Sequence, residues 1–270
     1  MKTKKENKPS KAFSLSSGLV IICCFIAAYL IFTYVFGNPD NFMNGDPKNH
    51  PLPGNLLGTI YKGGIIVPVI QTLLLTVLVL SVERYIAIRK AKGKGDLVKF
   101  IQNVKALLTE GNITAAQDLC AKQQGSVANV VNSALVKYAE MEADTTLLKD
   151  QKIVSIQKEV EEATSLELPS LEQNLAVIAT ITTLGTLMGL LGTVVGMIRS
   201  FASLAGAGGT DSVALSQGIS EALINTAFGI ATGALAVIAY NFFTSKIDSL
   251  MYCIDEIGFS IVNSFSANHK

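Results

Sequence analysis

The stretch Gly218–Phe243, GISEALINTAFGIATGALAVIAYNFF, carries one carboxylate, Glu221, and no Lys, Arg or His. Everything around Glu221 is apolar or small, and the run is longer than the roughly 18–20 residues that cross a bilayer core as a helix. A charge at the centre of such a helix costs roughly 2.5–3.5 kcal/mol, so Glu221 asks for an explanation. The apolar run before it, Leu175–Leu204, is threaded with Gly and Thr and carries only Arg199.

Two more runs of this kind, Leu15–Phe36 and Ile65–Val82, lie nearer the N-terminus, and 49% of all residues are hydrophobic. Clumping of that kind predicts an all-α membrane protein with four transmembrane helices. The 22 Lys and Arg nearly balance the 21 Asp and Glu, but they are unevenly placed. Lys2, Lys4, Lys5, Lys8 and Lys11 precede the first run, and Arg84, Arg89, Lys90, Lys92, Lys94 and Lys99 follow the second. The loop between those runs has only Lys48 and Lys62. Cytoplasmic loops are the basic ones, so both termini of this multi-pass membrane protein are expected in the cytoplasm. The basic residues are topology signals rather than a nucleic-acid patch. The first run is too long for a signal h-region, and Phe32-Thr33-Tyr34-Val35-Phe36 is too bulky for a cleavage site, so it reads as an uncleaved anchor.

The expected order is a basic tail (1–14), a first transmembrane helix (15–36), a Pro- and Gly-rich periplasmic loop (37–64) and a second transmembrane helix (65–84). A cytoplasmic helical domain (85–172) leads to a third transmembrane helix (173–204), a short periplasmic loop (205–217), a fourth transmembrane helix (218–244) and a cytoplasmic C-terminal helix (245–270). Within the cytoplasmic region, Leu97, Phe100, Ile101, Val104, Leu107 and Leu108 form a helical stripe over Asp96–Glu110, which Gly111-Asn112 stops. Ile113–Gln124 and Val127–Glu142 read as two further helices. A long amphipathic helix from Thr145 is expected to bend at Pro169 and continue into the third span.

Gly185, Gly189, Gly192 and Gly196 recur every three or four residues, as do Ala222, Thr226, Gly229, Gly233 and Ala236. Small residues at that spacing let helices approach closely in lipid, where packing drives association. Thr182, Thr186 and Thr193 share another stripe, and Asn225 lies one turn after Glu221. Two readings stand beside each other. The threonines either bond back to their own helix carbonyls or line a weakly polar path. Glu221 is either a first-turn acid favoured by the helix dipole, worth about 0.3–1 kcal/mol, or a proton-exchanging carboxyl at the mouth of that path. No nucleophile–base pair, phosphate loop, metal-ligand spacing or cofactor motif is visible, so an enzyme is not expected. Paired broken helices, the mark of many carriers, are not visible either.

Leu190-Leu191-Gly192-Thr193-Val194-Val195-Gly196-Met197-Ile198, with Ser200-Phe201, resembles the signature of the ExbB/TolQ/MotA proton-channel family. So does Gly218-Ile219-Ser220-Glu221-Ala222-Leu223-Ile224-Asn225-Thr226-Ala227-Phe228-Gly229, and the ExbB branch is the most similar. The resemblance runs from Ile65 to the C-terminus, which leaves the first span additional to the family's three. It implies a homopentameric ring in the inner membrane of Gram-negative bacteria, with an ExbD-like dimer in the pore, driven by protons and bound by lipids. The work would reach a TonB-like protein and outer-membrane transport. By position, it implies Glu221, Thr193 and Thr226 as the proton path, with Thr182, Thr186 and Asn225 as candidate lining. Gly185, Gly189, Gly192, Gly196, Gly229 and Gly233 are expected to pack helices. A TolQ-like subunit for envelope maintenance and a non-conducting membrane scaffold are the alternatives.

Overall fold

The computed structural model describes residues 16–206 and 212–269. The basic N-terminal tail and the loop residues 207–211, Asp211 among them, lie outside the described residues. What is described is helical, with no strand beyond one isolated bridge between Phe42 and Pro51. Nine α-helices follow one another: α1 (Ser17–Leu30), α2 (Leu56–Tyr61), α3 (Ile66–Lys92), α4 (Leu97–Thr109), α5 (Ile113–Gln123), α6 (Gly125–Ala143), α7 (Lys149–Glu172), α8 (Leu175–Gly206) and α9 (Ser212–Asn268). Helical stretches beginning at Ser17, Ile66, Leu175 and Leu215 are long and apolar enough to cross a membrane. The chain divides into two compact units. One comprises the residues up to Val82 with Asn174–Asn241; the other comprises Glu83–Gln173 with the chain from Phe242 onward.

In the membrane unit the defining contact is between α8 and α9. A Cβ built on Gly229 would lie 2.6 Å from the Gly185 carbonyl oxygen and 2.6 Å from the Gly189 Cα. One on Gly185 would lie 3.0 Å from the Gly233 nitrogen, and one on Gly189 3.1 Å from the Asn225 carbonyl. At Gly196 it would meet the Ala222 Cβ at 2.9 Å. The two small-residue stripes therefore touch backbone to backbone, which no side chain larger than hydrogen permits. Ala222, Asn225, Gly229, Thr232, Gly233 and Ala236 are all buried along that seam. On the outward face of α8, Leu187, Leu190, Val194 and Ile198 are exposed.

The other unit is a helical domain whose local signals are clear. Asp96 caps α4 by accepting from the Val98 amide at 2.9 Å. Gly111, at φ +71°, ends that helix, and Asn112 caps α5 through the Ala115 amide at 3.1 Å. Phe100, Val104, Leu108, Val127, Val131, Leu135, Tyr138 and Ile156 form the core with Ile254, Ile257, Ile261 and Phe265 of α9. Tyr138 meets the Phe265 ring edge-on at 4.9 Å.

Three expectations are corrected. The fourth span and the C-terminal helix, read as 218–244 and 245–270, are one continuous helix that begins at Ser212. The helix of the second span, read as 65–84, runs on to Lys92. The third correction is at Pro169. Proline lies inside α7, but the helix does not run on into α8. It breaks at Gln173 (ψ 136°) and Asn174 (φ +65°), a left-handed conformation that Asn tolerates better than most residues.

The break leaves the last carbonyls of α7 without helical donors. Arg84 supplies them. Its guanidinium is 1% exposed, and Nη1 donates to the carbonyls of Ser170 and Leu171, both at 3.1 Å. Nε donates to Glu83 Oε2 at 2.7 Å, and Nη2 donates to Glu83 Oε1. A buried charge removed from its partner leaves a cost of several kcal/mol behind.

Two stability outcomes follow. Arg84→Met should lower the stability of the detergent-solubilised protein by about 3 kcal/mol, read as an earlier thermal unfolding midpoint. An unchanged midpoint would refute the cap. Gly229→Val should prevent recovery of the folded protein, since overpacking a closed seam costs about 1–3 kcal/mol or more. Gly18→Val, where the nearest atom is Ser16 Oγ at 3.8 Å, should be tolerated.

Candidate functional site

Glu221 lies about two and a half turns into α9, because that helix begins at Ser212. The dipole effect fades within the first turn, so the first-turn acid reading does not describe it. The carboxylate is half-buried and takes a hydrogen bond from the Gln217 side chain one turn before it. Two cations act on it electrostatically, Arg199 of α8 first and Lys62 second. Glu221, Arg199 and Asn225 line a cavity of about 10 Å³ with Gly63, Ile65, Ile66, Gly192, Val195 and Gly196. That is room for about one water molecule.

Asn225 is the most constrained polar group of the site, at 2% exposure. Its Nδ2 donates to the Gly63 carbonyl at 2.9 Å, while its Oδ1 accepts no hydrogen bond among the described residues. Its side chain occupies the space that a Cβ on Gly192 would need. Gly192 is thus glycine because Asn225 fills its missing side chain.

The turn Lys62-Gly63-Gly64 reaches the site from the loop before α3. Lys62 Nζ donates to the Lys48 carbonyl at 3.0 Å and lies 5.8 Å above the Phe42 ring. Burial holds the Lys62 ammonium below its usual pKa, while the Glu221 and Asp46 carboxylates pull the other way. Gly63 is packed so closely that a Cβ would strike Val67 Cγ2 at 2.5 Å and Asn225 Oδ1 at 3.0 Å. Gly64, at φ +72°, would bring a Cβ to 3.2 Å from Arg199 Nη1.

The loop itself is tied to the first span. α1 passes into a π-helical segment, Ile31–Phe36, whose Phe32 stacks on Tyr61 with ring centroids 4.7 Å apart. Phe42 meets the same ring edge-on at 5.4 Å, and Tyr61 covers Gly37. Asn41 donates to the carbonyls of Val35 and Phe36 at 2.8 and 3.1 Å and accepts from Asn55 at 3.0 Å. Aromatic packing and amide bonds together hold the residue just before Lys62.

The hydroxyls divide. Thr182 donates to the Ala179 carbonyl and Thr193 to that of Leu190, both at 2.6 Å within α8. Thr226 donates across the seam to the Gly189 carbonyl at 3.2 Å and to Ala222 of its own helix at 3.3 Å. Thr186 Oγ1 lies where a Cβ on Gly233 would need to be. Thr182, Thr193 and Thr226 are therefore engaged with backbone, and all three stay partly exposed.

Sequence reasoning had Glu221, Asn225 and the threonines but not Lys62 and Gly63. Nothing in a Pro- and Gly-rich loop says where it lands. The available signal was that Lys62 is one of only two cations in that loop.

Residues 126–256 match the model of the MotA/TolQ/ExbB proton channel family. A stretch of 193 residues is 28% identical to the Tol-Pal system protein TolQ of Pseudomonas aeruginosa, covering 68% of this chain and 81% of that protein. Members of the family are channel and energy-transduction proteins that assemble and work with partner proteins. Family and apolar helices together indicate a multi-pass inner-membrane protein. The residues from 126 to 256, with Glu221 and both small-residue stripes among them, carry a domain of the MotA/TolQ/ExbB proton channel family.

Proposed function

We propose that this chain is the ring-forming subunit of an inner-membrane proton motor, acting with an ExbD- or TolR-like partner. The observation that carries the reading is Glu221, a carboxylate set well inside a membrane helix beside two cations and a buried amide. A group placed so can exchange a proton with a carboxylate that arrives on another chain, since this seam supplies no second acid. Thr193 and Thr226 flank the seam and offer oxygen lone pairs along the route; Thr182 and Thr186 extend it. In this reading both termini face the cytoplasm, the subunits form a homopentamer, and the partner passes the work to a TonB-like protein.

A second reading shares the proton chemistry and differs in the load. The likeness to a Tol-Pal system protein favours envelope maintenance over outer-membrane uptake. Complementation separates the two, by restored uptake in a strain lacking its ExbB or restored detergent resistance in one lacking its TolQ.

The proton chemistry is tested in liposomes holding the purified chain and its partner. Glu221→Gln should cut partner-dependent proton flux about a hundredfold, the order expected on losing a proton-transfer group. Thr193→Val should reduce it while both variants keep the wild-type oligomer on size exclusion. Full flux in Glu221→Gln would overturn the reading.

A further inference from the structure

The first span has no counterpart in the three-span resemblance, and the family match begins well after it, at residue 126. Yet the loop it supports is what brings Lys62 and Gly63 to Glu221 and Asn225. We propose that the first span and its loop form a latch, with the Lys62-Gly63-Gly64 turn as its tip, that closes the proton path at Glu221 until the partner engages. The proposal rests on the proton-path reading of Glu221 and adds to it a positioning residue, Lys62, and a role for the extra helix.

Four observations converge. Gly63 docks by its carbonyl on Asn225, a 2%-exposed side chain that lines the shared cavity. Gly63 and Glu221 line that same cavity, which holds about one water while the turn is seated. Lys62 brings a second cation to a carboxylate that already has Arg199. Moving Lys62 away changes the charge that Glu221 faces. Finally, the turn is fastened from behind, by Phe32 on Tyr61, by Asn41 on the end of the first span, and by Lys62 on the Lys48 carbonyl. Those fastenings involve no residue of α8 or α9. They read as a hinge-bound cover rather than as part of the seam.

The charge balance bears on the trigger. A carboxylate that entered the site would be drawn to Lys62, on which Glu221 and Asp46 already act. A partner carboxylate that arrived would compete for Lys62, as Asp46 already does within the loop. Loss of Lys62 to that competitor loosens the turn and frees Glu221 to exchange a proton.

The test uses the full chain, purified as its assembled oligomer and reconstituted into liposomes without partner, with leak down an imposed pH gradient read by an internal dye. Wild type should be tight. Lys62→Met and Phe32→Ala should leak several-fold faster, Lys62→Arg should stay tight, and adding Glu221→Gln to Lys62→Met should restore tightness. Phe32 touches Tyr61 and not the site, so its leak isolates the position of the turn from the charge of Lys62. The latch is overturned if Lys62→Met and Phe32→Ala are as tight as wild type, or if the leak persists in the double variant. Partner-dependent flux in matched liposomes keeps the two readings apart. Full flux in Glu221→Gln removes the proton path itself, whereas Glu221-dependent flux with a tight Lys62→Met removes only the latch.

Discussion

The approach of two backbones along the α8–α9 seam governs the membrane unit. Gly229 against Gly185 and Gly189 leaves no room for a single methyl group. In lipid there is no hydrophobic gain in hiding apolar side chains, so contact of this closeness is what holds the helices. It also fixes register. With Gly192 hollow, Asn225 fits into it; with Gly189 beside Thr226, the hydroxyl reaches across to a carbonyl. Glu221, one turn before Asn225, is thereby placed beside Arg199 rather than toward lipid.

Much of this was legible in the residues because the relevant signals are periodic and local. Small residues every three or four positions, a stripe over Leu97–Leu108 and the stop at Gly111-Asn112 all reappear as helices or helix ends near the expected places. Other features depend on contacts distant in the chain. Asn174 has the same composition signal whether a helix bends or breaks. What decides the matter is Arg84, distant in sequence, which satisfies the carbonyls that the break exposes. Likewise the start of α9 at Ser212 is hidden in the sequence by a Gly- and Ala-rich approach. That start is what separates a first-turn acid from a carboxylate well inside the helix. Lys62 was invisible as a site residue because loops encode their own turns but not their landing points.

The Arg84 cap shows why buried charge need not be functional. Arg84 and Glu221 are both ionisable groups near membrane-length helices. Arg84 has its donors consumed by two carbonyls and the Glu83 carboxylate, a closed set with little left to exchange. Glu221 is half-buried, has one of its two cations on a loop and lines a small cavity. The difference lies in the partners, not in burial.

The threonines carry one more consequence. Each hydroxyl has a single proton to give, and those of Thr182, Thr193 and Thr226 give it to a main-chain carbonyl. What each turns toward any neighbour is therefore one oxygen's lone pairs and no donor. If these hydroxyls line a path, it would favour species that bring their own protons or positive charge and would offer nothing to an anion. The backbone, by claiming the hydroxyl protons first, would set that preference.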